Sequence, residues 1–214
     1  MRPSYGFSSF ATIRYNPLMH YVIAGLGNPG EEYERTRHNT GRIVLDAFRK
    51  REDLPDWEFD KKMNALVSKG KLGKHTVTLL EPETFMNKSG SSVAYLVKSK
   101  RAAEALVIIY DDLDMPLGKL KISFNRSSGG HKGLESIIRA VKTEAFARLR
   151  VGISLSTPSG KLKKPSGDEK VHDFIIGKWK DAEFAELKKV SKKACDALAA
   201  IVVDGRAKAM GEFN

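Results

Sequence analysis

The chain has 214 residues, of which 41% are hydrophobic and 29% charged, enough for one well-filled globular domain of ordinary composition. No apolar run approaches the length of a membrane span, and the single cysteine, Cys195, excludes an internal disulfide. Lysine and arginine outnumber aspartate and glutamate by 37 to 26, a net charge of +11, and this basic excess favours a polyanionic partner such as nucleic acid.

The first 18 residues differ from the rest of the chain. They contain Arg2 and Arg14, no acidic residue, and several serine, threonine and aromatic residues. We interpret residues 1–18 as a leader, tag or extension outside the fold, and residues 19–214 as one domain. Two arginines give only weak support to import into an organelle, so we expect a cytoplasmic protein.

Strands and helices alternate from residue 21 onward. Short apolar runs predict strands, and apolar residues at helical spacing predict helices. The predicted strands cover residues 21–24, 64–68, 76–80, 105–110, 119–124 and 148–155. The predicted helices cover residues 40–50, 84–98, 133–141 and 181–202, and residues 157–168 read as a loop. This order predicts an α/β fold, a single three-layer domain with a twisted, mostly parallel mixed sheet flanked by helices.

A glycine-rich turn follows the first predicted strand. Its sequence GLGNPG, residues 25–30, satisfies the G-x-G-x-x-G pattern of a dinucleotide site. In that kind of site the turn leads into an amphipathic helix whose N-terminus meets a diphosphate. Here residues 31–34, EEYE, would face the diphosphate with carboxylates. A dinucleotide-binding oxidoreductase is therefore disfavoured, and the alternative is that the exposed amide of Asn28 binds a substrate.

Four further segments carry polar side chains beside predicted strand ends or helix starts. They are TRHNTG at 36–41, TFMNKSG at 84–90, YDDLD at 110–114 and SSGGHKG at 127–133. Carboxylates at the end of a central strand, such as Asp111, lie where α/β active sites form. No histidine or cysteine spacing supports a metal site, so we expect neither a metal nor a cofactor.

Together, in this order and spacing, these segments resemble the bacterial-type peptidyl-tRNA hydrolase family. The resemblance runs from Met19 to about Met210 and includes the later segments RLRVGI and VHDFIIGKW. It implies an enzyme that cuts the ester bond between a peptide and its tRNA. We expect this enzyme to be a monomer and not to associate with a membrane. A relative that kept the fold as an RNA-binding accessory protein without hydrolysis remains the alternative.

The resemblance also implies roles for individual residues. His38 is expected to take a proton from water, and Asp111 to fix the tautomer of His38 and stabilise its imidazolium form. The side-chain amides of Asn28 and Asn87 are expected to position the substrate. Tyr33 and Met86 are expected to line the same crevice.

Two positions, Lys132 and Ser123, depart from the family pattern. Lys132 stands where the family usually has an asparagine that binds the substrate, so we expect a changed contact with a phosphate or a carbonyl oxygen. The alternative is a solvated side chain that points away from the crevice. Arg150 matches a position that holds tRNA phosphates. A second basic position is occupied by Ser123, with Lys121 and Arg126 close by as substitutes.

Overall fold

The computed structural model describes residues 18–214, so the predicted leader lies outside the described residues except for Leu18. The strands are β1 (His20–Gly25), β2 (Glu58–Asp60), β3 (Ala65–Leu72), β4 (His75–Pro82), β5 (Leu106–Pro116), β6 (Leu120–Phe124), β7 (Ala147–Ser156) and β8 (Leu162–Lys163). The α-helices are α1 (Thr40–Arg51), α2 (Ser89–Leu96), α3 (Lys100–Ala103), α4 (Lys132–Val141), α5 (Asp168–Ile176), α6 (Asp181–Val203) and α7 (Arg206–Phe213).

One mixed sheet runs through the molecule in the order β2-β3-β4-β1-β5-β7-β6, with β8 paired to β7. The four central strands, β4, β1, β5 and β7, are parallel. The outer strands β3 and β6 pair antiparallel to their neighbours. Because parallel strands are covered on both faces, the first part of β5, Leu106–Tyr110, is entirely buried.

Helices cover both faces of this sheet. On one face, α1 packs against β1 and β5, and α6 packs against α1, β3, β6 and β7. Most of the apolar stripe of α6 predicted from the sequence is buried there. On the other face, α2 and α4 pack through residues such as Val93, Leu134 and Ile137. The predicted single three-layer α/β domain is therefore confirmed. No helix among the described residues is both long and apolar enough to cross a membrane.

Some predicted boundaries were wrong. The helix predicted over 84–98 begins later, because Phe85 is extended and a 3₁₀ turn, Met86–Lys88, precedes α2. The predicted loop over 157–168 contains β8, and α5 follows it without having been predicted. None of the residues of α5 is fully buried, and its apolar residues, among them Phe174 and Ile175, are only partly buried against the core. So short a helix gives a weak periodic signal in the sequence.

Gly41 brings the start of α1 into contact with the backbone of the sheet. A Cβ atom at this position would lie 2.4 Å from the carbonyl oxygen of Ile109 and 2.4 Å from the backbone nitrogen of Leu26. Only glycine allows so close an approach. The 3₁₀ turn Arg37–Asn39, which leads into α1, is thereby held over the ends of β1 and β5.

Candidate active site

A crevice of about 950 Å³ opens where the parallel strands β1, β4 and β5 end. Ligands of α/β sheets bind beyond the carboxyl ends of such strands. The crevice is lined by all eight site residues predicted from the sequence: Asn28, Tyr33, His38, Met86, Asn87, Asp111, Lys132 and Arg150. The topology therefore brings together side chains that are more than a hundred positions apart in the chain.

His38 and Asp111 form a buried hydrogen-bonded pair in this crevice. Nδ1 of His38 lies 3.0 Å from Oδ1 and 3.1 Å from Oδ2 of Asp111, and both residues are buried. An ionised carboxylate can only accept hydrogen bonds, so Nδ1 of His38 is the donor. In the neutral imidazole, Nε2 is then the nitrogen that can accept a proton.

A second histidine, His131, contacts the same carboxylate. Its Nε2 lies 3.2 Å from Oδ1 of Asp111, and its Nδ1 accepts hydrogen bonds from the backbone N–H groups of Gly133 and Leu134 at 3.2 and 3.4 Å. No role is predicted for His131 from the sequence, because nothing in the GGHKG segment shows that the ring caps its own helix and reaches Asp111.

The two histidines keep Asp111 ionised. Burial by itself raises the pKa of this carboxyl, but the nearby histidines lower it by more, and the pKa of Asp111 falls below its ordinary value. Burial together with Asp112 raises the pKa of the neighbouring Tyr110 to about 12, against the opposing effect of Arg150. The phenol therefore stays neutral, and the fixed negative charge beside His38 belongs to Asp111.

Asn28 is oriented by hydrogen bonds on three sides. Its backbone N–H donates to Oδ1 of Asn39, and its carbonyl oxygen accepts from Nδ2 of Asn39, both at 2.9 Å. Its side-chain Oδ1 accepts from the backbone N–H of Met86 at 2.9 Å. The amide group of Asn28 is thus left with Nδ2 as its donor toward the crevice. Asn39, which makes this clamp, was not predicted as a site residue.

An aromatic wall lies next to these amides. The rings of Tyr33 and Phe85 meet edge to face, with 6.4 Å between their centroids, and Phe85 is 58% exposed. Asn87 projects from the following 3₁₀ turn and is also exposed. A large exposed apolar side chain beside a crevice is typical of a binding surface. The sequence predicts the contributions of Tyr33 and Asn87 but gives no sign that Phe85 is exposed.

The opposite end of the crevice is cationic. Arg150 of β7 lies directly across from Lys121 of β6, and Lys121 and Arg126 are exposed on the crevice rim. Nε of Arg150 donates to Oδ2 of the buried Asp112 at 2.6 Å. The guanidinium of Arg150 is therefore held in place by a charge-assisted hydrogen bond, a pairing that the sequence does not reveal.

Comparison with known proteins shows the family of the chain. The family model described as peptidyl-tRNA hydrolase matches residues 22–214. The chain belongs to this family. The peptidyl-tRNA hydrolase of Thermoanaerobacter sp. (strain X514) is 40% identical over 195 residues, covering 91% of this chain and 99% of that protein. That of Thermodesulfovibrio yellowstonii is 36% identical over 196 residues, covering 90% and 98%. The crystal structure of peptidyl-tRNA hydrolase from Acinetobacter baumannii has a TM-score of 0.80 at 32% identity, covering 91% and 94%.

In this member of the peptidyl-tRNA hydrolase family, buried arginines fasten the walls of the crevice. Arg37, next to His38, donates to the carbonyl oxygens of Phe174 and Gly177 at 3.3 and 3.2 Å. It also pairs with Glu183 at 2.7 Å, and its guanidinium lies over the Phe174 and Trp179 rings. Since none of the residues of α5 is fully buried, the contacts of Arg37 are an important attachment between α5 and the turn that carries His38.

Two more arginines act on the other walls. Arg42 of α1 pairs with Glu81 at 3.1 Å and with Glu83 at 2.5 Å, just before the segment that carries Met86 and Asn87. Arg148 of β7 is fully buried and donates to the carbonyl oxygen of Arg126, at the start of the loop that leads to His131. The guanidinium group of arginine carries several hydrogen-bond donors in one plane, so a single arginine can bind several acceptors and attach a loop to the sheet and its helices.

Proposed function

We propose that this chain hydrolyses the ester bond joining a peptide to the 3′ end of tRNA, with His38 as the general base. The observation that carries the proposal is the buried hydrogen bond of 3.0 Å between Nδ1 of His38 and Asp111, which directs Nε2 to act as the acceptor. Membership of the peptidyl-tRNA hydrolase family supports the substrate class.

The reaction uses water directly. Nε2 of His38 takes a proton from water while the water oxygen attacks the ester carbonyl carbon, and Asp111 stabilises the imidazolium that forms. The tetrahedral intermediate then expels the ribose oxygen, which recovers the proton from Nε2. The products are a peptide carboxylate, a tRNA with a free hydroxyl and one proton, and His38 returns to its neutral form.

The developing oxyanion needs hydrogen-bond donors. Nδ2 of Asn28 is suited to this because Asn39 holds the backbone of Asn28 and the N–H of Met86 orients its side-chain amide. Asn87 is the second amide in the crevice. One well-placed donor of this kind contributes about 10²–10³ in rate in comparable sites. Tyr33 and Met86 complete the wall against which the peptide lies.

The cationic end of the crevice binds the phosphates of the tRNA. Arg150 is held by Asp112 through Nε, so its other nitrogens are the donors offered to a phosphate. Ser123, at the position usually basic in this family, is buried. Lys121 lies directly across from Arg150 and supplies the missing charge at the exposed rim, together with Arg126.

The deciding experiment compares an N-blocked aminoacyl-tRNA with the same aminoacyl-tRNA carrying a free amino group. We expect rapid release of tRNA from the blocked form only, since a free α-ammonium fits poorly where a peptide amide is expected. Tight binding of tRNA without release would contradict the proposal and favour an RNA-binding accessory protein.

A further inference from the structure

We propose that His131 is a positioning residue that holds Asp111 and limits how strongly this carboxylate stabilises the imidazolium of His38. The inference rests on the proposed role of His38 as the base. In this role His131 does not itself need to touch the substrate.

The start of α4 determines the tautomer of His131. Nδ1 accepts from the backbone N–H groups of Gly133 and Leu134, so in the neutral ring this nitrogen carries no hydrogen. The hydrogen must then be on Nε2, which lies 3.2 Å from Oδ1 of Asp111. Protonation of Nδ1 would abolish the helix cap. The peptide groups at the start of α4 therefore favour a neutral His131 that donates to Asp111.

Neighbouring rings fix this orientation. The Tyr110 ring packs edge-on against His131 with 5.0 Å between centroids, and the His38 ring lies at 5.1 Å. Both histidines contact Oδ1 of Asp111, at 3.0 and 3.2 Å, and Nδ1 of His38 also lies 3.1 Å from Oδ2. The two donors share one carboxylate.

Sharing has a consequence for His38. A hydrogen bond donated to a carboxylate reduces the negative potential that the carboxylate exerts on its other partner. The charged and titratable groups around His38 come from β5 (Tyr110, Asp111 and Asp112), from the turn before α4 (His131), from β7 (Arg150) and from its own turn (Arg37). Among them, His131 is the group whose side chain donates to the Asp111 carboxylate that also accepts from His38.

Two substitutions separate the two sides of the His131 ring. In His131→Asn the shorter amide keeps an acceptor near the position of Nδ1, and asparagine is a favoured N-cap, but no donor reaches Asp111. In His131→Gln the longer amide places a donor near the position of Nε2, while the cap is weakened. Each variant therefore removes one of the two functions of His131.

The measurement is kcat/KM against pH on N-blocked aminoacyl-tRNA, with the thermal unfolding temperature of each full-length variant. We expect His131→Asn to unfold close to wild type and to move the acid limb of the profile upward by about half a pH unit or more, because an unshared Asp111 favours the charged form of His38. His131→Gln should keep the wild-type limb and unfold at a lower temperature.

An acid limb unmoved in His131→Asn would overturn the inference, as would equal shifts in both variants. His38→Ala, measured in parallel, separates this outcome from failure of the proposed function. If His38→Ala is inactive and the limb does not move, only the role of His131 is wrong. If His38→Ala stays active, the assignment of the base is wrong.

Discussion

The two ends of the crevice hold their polar groups in opposite ways. At one end, His38 and Asp111 are buried and bonded to each other, with His131 and α4 behind them. At the other end, Lys121 and Arg126 reach into solvent from the rim. Fixed dipoles and charges in a dry site can stabilise a transition state, whereas exposed charges attract a polyanion and are screened by salt. Substitutions at the buried end should therefore act mainly on kcat, and substitutions at the exposed end mainly on KM and on its dependence on salt.

The largest effect is expected from His38→Ala. Loss of the general base should lower kcat by roughly 10²–10⁴ while tRNA affinity is retained. Single-turnover release from N-blocked aminoacyl-tRNA, together with a tRNA-binding titration, measures both quantities. His20→Ala, at the exposed start of β1 far from the crevice, serves as the matched control. Retention of more than about a tenth of wild-type kcat would exclude His38 as the base.

Asp111→Asn should come next. An asparagine at this position can turn its NH₂ group toward Nδ1 of His38 and favour the tautomer in which Nε2 carries the hydrogen, which removes the acceptor for water. We expect kcat to fall by roughly 10²-fold or more. Asp114→Asn, an exposed carboxylate on the same strand, controls for the loss of one charge. A kcat and a pH–rate profile equal to wild type would show that the pairing is not used.

At the cationic end, Arg150→Ala should raise KM and leave kcat within a few-fold of wild type. The variant lacks the guanidinium that we expect to bind a tRNA phosphate. The slope of log KM against log salt concentration should therefore fall by about the contribution of one phosphate contact. Lys119→Ala, which removes an exposed lysine just before β6, is the control. If the slope in Arg150→Ala equals that of wild type, Arg150 has no place in the phosphate site.

The smallest effect is expected at Lys132, which lies between the two ends. It is exposed at the first residue of α4, where its charge adds to the positive end of the helix dipole and favours an anionic or carbonyl partner. Lys132→Asn should keep hydrolysis within roughly tenfold of wild type because an amide can still donate, and Lys132→Ala should raise KM by more. Wild-type kinetics in the alanine variant would mean that Lys132 makes no substrate contact.

The sequence predicts the frame of this protein better than its hydrogen bonds. β5 and α6 are readable because their apolar residues follow the period of a buried strand and of an amphipathic helix. α5 is harder to read because it is only nine residues long and its apolar side chains are no more than partly buried. The motifs bring the predicted residues to one crevice, as the structure shows, but the direction in which a side chain donates depends on partners elsewhere in the chain.

Three contacts illustrate this limit. The pairing of Arg150 with Asp112 joins adjacent strands, and strand register is not written in either segment alone. The clamp of Asn39 on Asn28 depends on a close approach of α1 to β1. The cap formed by His131 requires the ring to fold back on its own helix, which a glycine-rich segment neither favours nor forbids.

The contact at Gly41 means that the alignment of the base depends on the main chain. Gly41, at the start of the helix that follows the turn carrying His38, touches the backbone of β5 through peptide groups. Rotamer exchange along the crevice walls, on the picosecond to nanosecond scale, therefore leaves the spacing of these two elements unaffected. We therefore expect the hydrogen bond that orients His38 to keep its length while the walls repack around different peptides.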